Sequence, residues 1–167
     1  MIGLVDINST LDIMDLSKPN RNRTNMPTRS TIWATIAVEH EDGQITRVYC
    51  HHDGYYEGVG KTLLNHYNTL EQVEALVALG NIFVLDTSID CPAGHSFNSR
   101  IDRYTVFYGR DRGEKNQHGK LYDGGFDEYV EAFGECGEDY SYLFRDGQWE
   151  VFDHGKHQIL QEVVDIN

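Results

Sequence analysis

Cysteine is scarce in this chain, and what there is lies scattered. Cys50, Cys91 and Cys136 are odd in number and far apart, with no Cys-x-x-Cys pair. That pattern supports neither a disulfide framework nor a cysteine-rich zinc site, and it fits a reducing cytoplasm. Long apolar runs are missing too. Stretches such as Ile82 to Leu85 fall far short of a bilayer-spanning helix, and the first residues lack the basic start and apolar stretch of a secretory signal. Basic residues are few: 14 Lys and Arg face 27 Asp and Glu, a formal net charge of -13. Nucleic-acid affinity depends on Lys and Arg neutralising phosphates, so this balance argues against direct binding to DNA or RNA. No Ser-His-Asp arrangement, zinc-protease helix or paired-carboxylate motif is visible, and no cofactor is expected.

What remains is ordinary globular material. The 167 residues, 40% of them apolar and 11% aromatic, suit one domain with a real core. The acidic surplus admits two readings. It keeps a small protein soluble, or it forms a surface that imitates nucleic acid and docks on a basic partner.

Residues 1–30 differ from the rest. Leu4, Ile7, Leu11 and Met14 fall on one helical stripe, and a polar stretch broken by Pro19 and Pro27 follows. The expectation is an N-terminal extension and linker over 1–30 and a single domain over 31–167. Ile32 to Glu39 and Gln44 to Cys50 flank an Asp-Gly turn and predict a hairpin. Val59, Leu63 and Tyr67 predict a helix. Thr69 to Gln72 matches a capping box, and it opens a second helix that Gly80 ends. Ile82 to Leu85 and Arg103 to Tyr108 read as strands, separated by a loop and followed by a charged loop over 109–125. Phe126 to Phe133 reads as a short helix. Tyr140 to Phe144 and Trp149 to Phe152 form a second hairpin, and His157 to Ile166 a terminal helix. The predicted class is α+β, an antiparallel sheet built around two hairpins with two to four helices packed on it.

Cys50-His51-His52-Asp53 is the densest cluster of reactive side chains. It reads as half a metal site that His95 or His118 completes, as a thiolate nucleophile beside a histidine, or as a buried cysteine with loop-capping neighbours. Gly58-Val59-Gly60-Lys61-Thr62 looks like the tail of a phosphate-binding loop, but the first glycine that loop requires is Tyr55. Arg110 and Arg112, flanked by Gly109 and Gly113, either grip an anion or pair with Asp111 and Glu114. If a small anionic ligand binds, His51, His52, Asp53, Arg110 and Arg112 are its candidate contacts. The acidic set Asp123, Asp127, Glu128, Glu131, Glu135, Glu138 and Asp139 is either a solvated face or a mimic of successive phosphates.

Thr28-Arg29-Ser30-Thr31-Ile32, Val48-Tyr49-Cys50-His51, Asp53-Gly54-Tyr55, Gly58-Val59-Gly60 and His66-Tyr67 form one familiar set. Tyr108-Gly109-Arg110-Asp111-Arg112-Gly113-Glu114, Tyr142-Leu143-Phe144 and Trp149 form another. Over about residues 26 to 152 the chain resembles a family of small uncharacterised proteins encoded by bacteriophages and other mobile elements. The resemblance implies no catalytic residue. It implies a phage accessory protein in the host bacterial cytoplasm. Joined to the charge, it leads to the expectation of an inhibitor that covers a basic surface on a host defence or nucleic-acid-processing protein. A homodimer would lengthen the negative surface; no membrane association is expected. The alternative is a small metal-dependent hydrolase or nucleotide-ligand-binding protein that uses Cys50 to Asp53.

Overall fold

The computed structural model describes residues 32–134 and 137–166. The proposed extension over 1–30 therefore lies outside the described residues, as do Glu135 and Cys136. The chain opens on β1 (Ala34–Glu39) and β2 (Ile45–Cys50), an antiparallel hairpin. A wide π turn over Tyr56–Gly60 runs into α1 (Lys61–His66), followed by α2 (Leu70–Ala78) and β3 (Ile82–Val84). After a long loop come β4 (Val106–Phe107), α3 (Tyr108–Arg112), β5 (Lys120–Tyr122) and α4 (Phe126–Glu131). The chain then forms β6 (Tyr140–Arg145), β7 (Gln148–Asp153), β8 (Lys156–Ile159) and α5 (Leu160–Ile166).

The strands build one mixed, mostly antiparallel sheet in the order β4-β3-β2-β1-β6-β7-β8, with β5 paired to the free end of β2. The α+β class holds. Both expected hairpins form, β1–β2 and β6–β7. What joins them is a parallel pairing of β1 with β6, in register from Ala34 opposite Tyr140 to Val38 opposite Phe144. β1 is buried from Ala34 to Val38 and β6 from Ser141 to Phe144, as parallel strands covered on both faces must be. Thr35 and Ser141 hydrogen-bond hydroxyl to hydroxyl across the seam at 2.7 Å.

One face of the sheet carries Ala34, Ile36, Val38, Val48, Cys50, Tyr142, Phe144 and Val151 beneath Leu63 of α1, Val73, Leu76 and Val77 of α2 and Leu160 of α5. Fully burying side chains of this size contributes about 1.5–3 kcal/mol each. The capping box of α2 is complete: Thr69 Oγ1 accepts from the Gln72 N–H, and Gln72 Oε1 accepts from the Thr69 N–H. Gly80 follows α2 at φ 90°, and a Cβ there would meet the Gln117 carbonyl oxygen at 2.2 Å. The opposite face is covered differently. Ala37, Ile45, Tyr122, Leu143 and Phe152 lie under Tyr129 of α4, with Phe126 and Phe133 beside them. α4 shields only this end.

Four expectations change, the first being the charged loop over 109–125, which contains α3 from Gly109 on and all of β5. The helix expected from Val59 begins as the π turn, where the Asp53 carbonyl accepts from the Val59 N–H, and a Cβ on Gly58 would meet that carbonyl at 2.3 Å. The strand expected over 103–108 shrinks to two residues, because Tyr108 starts α3. Of the terminal helix over 157–166, the first residues instead form β8, drawn into the ladder by the open edge of β7.

Candidate functional site

The part of the second face that α4 leaves open is paved with rings. Strand alternation puts Arg47 and Tyr49 of β2 on that face, with Val48 and Cys50 in the core on the other, and His51 follows directly after the strand. Trp33 packs edge-on against Tyr49 at 4.9 Å between centroids. Tyr49 stacks on Tyr108 at 6.4 Å and hydrogen-bonds through its hydroxyl to His51 Nδ1. His51 stacks on Phe83 at 5.6 Å, His52 meets the same ring edge-on at 4.7 Å, and Phe97 closes on it at 4.5 Å. All of these rings are half-buried. Burial opposes ionisation of Tyr49, holding its pKa above the usual phenol value, and pushes that of Tyr108 up to about 12. Burial, aided by neighbouring His52, holds His51 below the usual imidazole range. At neutral pH the Tyr49, His51 and Tyr108 rings are therefore uncharged, and the Arg112 guanidinium lies over the neighbouring Phe97 ring.

Of the four-residue cluster, His51 and His52 belong to this surface and Cys50 does not. Cys50 is fully buried, its thiol pushed up to about 12 by desolvation, with Sγ 3.8 Å from the His52 carbonyl. A protonated, enclosed thiol is no nucleophile. Asp53 sits at φ 57° and accepts a hydrogen bond from the Tyr55 hydroxyl at 3.1 Å, shaping the turn. Neither His95 nor His118 completes a metal site with these residues: among the described residues no three His, Cys, Asp or Glu side chains converge on one ion. His95 is buried in the following loop, where Nδ1 accepts from the Ile101 N–H.

The two arginines separate in role. Arg110 is a clamp inside the fold. Nε and Nη2 donate to the two Asp111 oxygens at 2.7 and 2.9 Å, Nη1 to the Ile89 carbonyl and Nη2 to the Thr105 carbonyl. Burial of Asp111 opposes its ionisation, but these partners and the Phe107 N–H outweigh it and hold the carboxyl below the usual range. Arg112 is more open. It pairs with Glu114 at 3.1 Å and lies over the Phe97 ring at 4.6 Å, which brings it to the surface that carries His51 and His52. Lys61 of the phosphate-loop look-alike pairs with Glu57 one helical turn away at 3.0 Å.

The acidic set also divides. Asp123, Asp127, Glu128 and Glu131 are exposed on α4 and the turn before it. Asp123 accepts from Gln44 at 2.8 Å, and Glu128 from the Gly124 N–H at 2.6 Å. Asp139 is half-buried at the start of β6, its N–H on the Trp33 carbonyl. Glu138 leaves the set. Its side chain is wholly buried, Oε1 lies 3.4 Å from Arg47 Nη1, and Oε2 has no hydrogen-bond partner among the described residues. Glu135 lies outside the described residues.

The residues to which the sequence assigned no binding role are Trp33, Arg47, Tyr49, Phe83, Phe97, Tyr108 and Lys120. Their signal was present in β2, where Arg47 and Tyr49 alternate with core residues. No described helix is long and apolar enough to cross a membrane. The chain matches no protein-family model, and no match is found among curated proteins or solved structures.

Proposed function

We propose that this protein is a binding protein rather than an enzyme, and that its acidic α4 face docks on a basic, nucleic-acid-binding surface of a host bacterial protein and blocks it. The observation that carries the reading is the outer face of α4. Asp127, Glu128 and Glu131 stand exposed together with Val130, and Asp123 stands just before them. Carboxylates around an exposed apolar side chain have the make-up of an interface rim around an anchor. A chain carrying -13 steers such a face toward basic partners and away from nucleic acid. The resemblance to phage-encoded proteins supports a host partner in the bacterial cytoplasm, and a second copy of the chain would lengthen the same surface.

The enclosed thiol of Cys50 withdraws support from nucleophilic catalysis at the 50s cluster. The experiment is capture of partners from bacterial lysate on the tagged full chain, at low and high salt. The triple variant D127N/E128Q/E131Q is run beside it. The expected outcome is one basic protein, retained at low salt, released at high salt and lost from the triple variant. Equal capture by the variant would refute the assignment to α4.

A further inference from the structure

Beyond the acidic face of α4, we propose that the groove between the tip of the β6–β7 hairpin and the α1–α2 turn binds an extended segment of a partner protein, seating an arginine followed by an apolar residue. β1 and β6 run parallel, so both finish at the same end of the sheet. There the residues that follow them, with Asn68 and Thr69 from between the two helices, enclose a cavity of about 310 Å³. A second cavity of about 150 Å³ adjoins it and shares Asn68, Phe144 and Gly147 with it. The two form one groove, large enough for neighbouring side chains of a bound peptide.

The two parts differ in chemistry. Glu41 and Asp146 line the first, both at exposed positions, and Leu70 and Phe144 are its apolar members. Neither carboxylate forms a side-chain hydrogen bond or ion pair with a described residue. The cations beside them are engaged elsewhere. Arg145 donates from Nε and Nη2 to the two Glu150 oxygens at 3.1 and 3.2 Å, and both ring nitrogens of His40 are taken, by Glu74 and by Thr46. Burial holds the neighbouring Glu39 carboxyl above the usual range; Arg145 opposes that rise, while Asp146 and Glu150 add to it. Negative charge thus accumulates at this end of the sheet. The second part is apolar instead, with Leu64, Trp149 and Ile159 in its lining beside the Asn68, Gln148 and Gln161 amides.

An arginine suits the first part. Its apolar stem packs on Leu70 and Phe144 while its planar fork donates to the carboxylates. A guanidinium also sheds water more readily than an ammonium in a half-enclosed site. The apolar residue that follows fills the second part, and the side-chain amides there offer donors and acceptors to an extended backbone. Charge complementarity selects a basic partner. A metal ion or a polyamine would leave the apolar part unfilled.

The test titrates the isotope-labelled full chain with the peptide acetyl-Gly-Arg-Leu-Gly-amide and follows backbone amide signals by nuclear magnetic resonance. The expected result is saturable binding, with shifts confined to the amides of Glu41, Leu70, Asp146, Gly147 and Gln148. Citrulline in place of the arginine keeps the shape, removes the charge and weakens binding about tenfold. Serine in place of the leucine weakens it about tenfold as well. E41Q/D146N, changed only at exposed positions, binds the arginine peptide about tenfold more weakly and the citrulline peptide as the parent does. D127N/E128Q/E131Q binds the arginine peptide as the parent does, so failure of the α4 reading and failure of this one are separable. The proposal is overturned if no peptide saturates, if the citrulline peptide binds as tightly, or if the shifts spread over α4. Self-association at rising protein concentration that E41Q/D146N abolishes would assign the groove to a second copy of the chain and equally overturn it.

Discussion

Arg47 and Glu138 show what a single buried pair does in an acidic chain. The guanidinium and the carboxylate are 5% and 0% exposed, and one contact of 3.4 Å joins them. Removing one member of such a pair strands the other charge in a low-dielectric site, whereas removing both leaves no uncompensated charge. Arg47→Met should therefore lower stability by about 3–5 kcal/mol, and Arg47→Met with Glu138→Met should recover most of that loss. Urea denaturation of the three proteins measures both numbers. A double variant as unstable as the single one would mean that Arg47 acts through its packing on Tyr122. Arg110 obeys the same logic from a half-exposed position, which is why it serves the fold and not a ligand.

At the scale of elements, local signals translate directly into structure and distant ones do not. α2 was legible because everything that defines it lies within a few residues: Thr69 and Gln72 at one end, Gly80 at the other, and Val73, Leu76 and Val77 between. Thr69→Ala should cost about 1 kcal/mol, read as a shift of the urea midpoint at constant slope. Gly80→Ala should cost more, since φ 90° and the Gln117 carbonyl at 2.2 Å both oppose a side chain. The two hairpins were legible from their Asp-Gly turns. β8 was not. Lys156, His157 and Gln158 carry no strand pattern, and only the ladder with β7 makes them extended. α3 reads in the sequence as the end of a strand at Tyr108 and as loop beyond it, because its five residues include Gly109 and its shape depends on Asp111 accepting from the Phe107 N–H at 2.7 Å. The candidate surface was half legible. His51 and His52 announced themselves by adjacency, but Phe83 and Phe97 reach them only through the pairing of β3 with β2 and the return of the long loop. No spacing in the sequence encodes that meeting.

The whole molecule answers to pH mainly from the alkaline side. Cys50 and Tyr67 ionise near 9.0 and 10.0 in an unfolded chain, and burial pushes both up to about 12 in the fold. Burial also raises Tyr129 and Tyr142. These groups are protonated in both states below about pH 9, so their contribution is intact there. Above it the unfolded chain releases protons that the fold retains, and stability falls as pH climbs toward 12. The urea midpoint should be clearly lower at about pH 10.5 than at about pH 7.5, and no change would mean that these sites are hydrated. The β1–β6 seam has a consequence of another kind. β1 is complete by Glu39, yet its parallel partner ends only at Arg145. During synthesis, at about 5–20 residues per second, the nascent β1–β2 hairpin waits about 5–20 seconds with one apolar edge unpaired. The ribosome-bound chain is thus at its most vulnerable to strand exchange with a neighbour, and to chaperone capture, in the interval before β6 emerges.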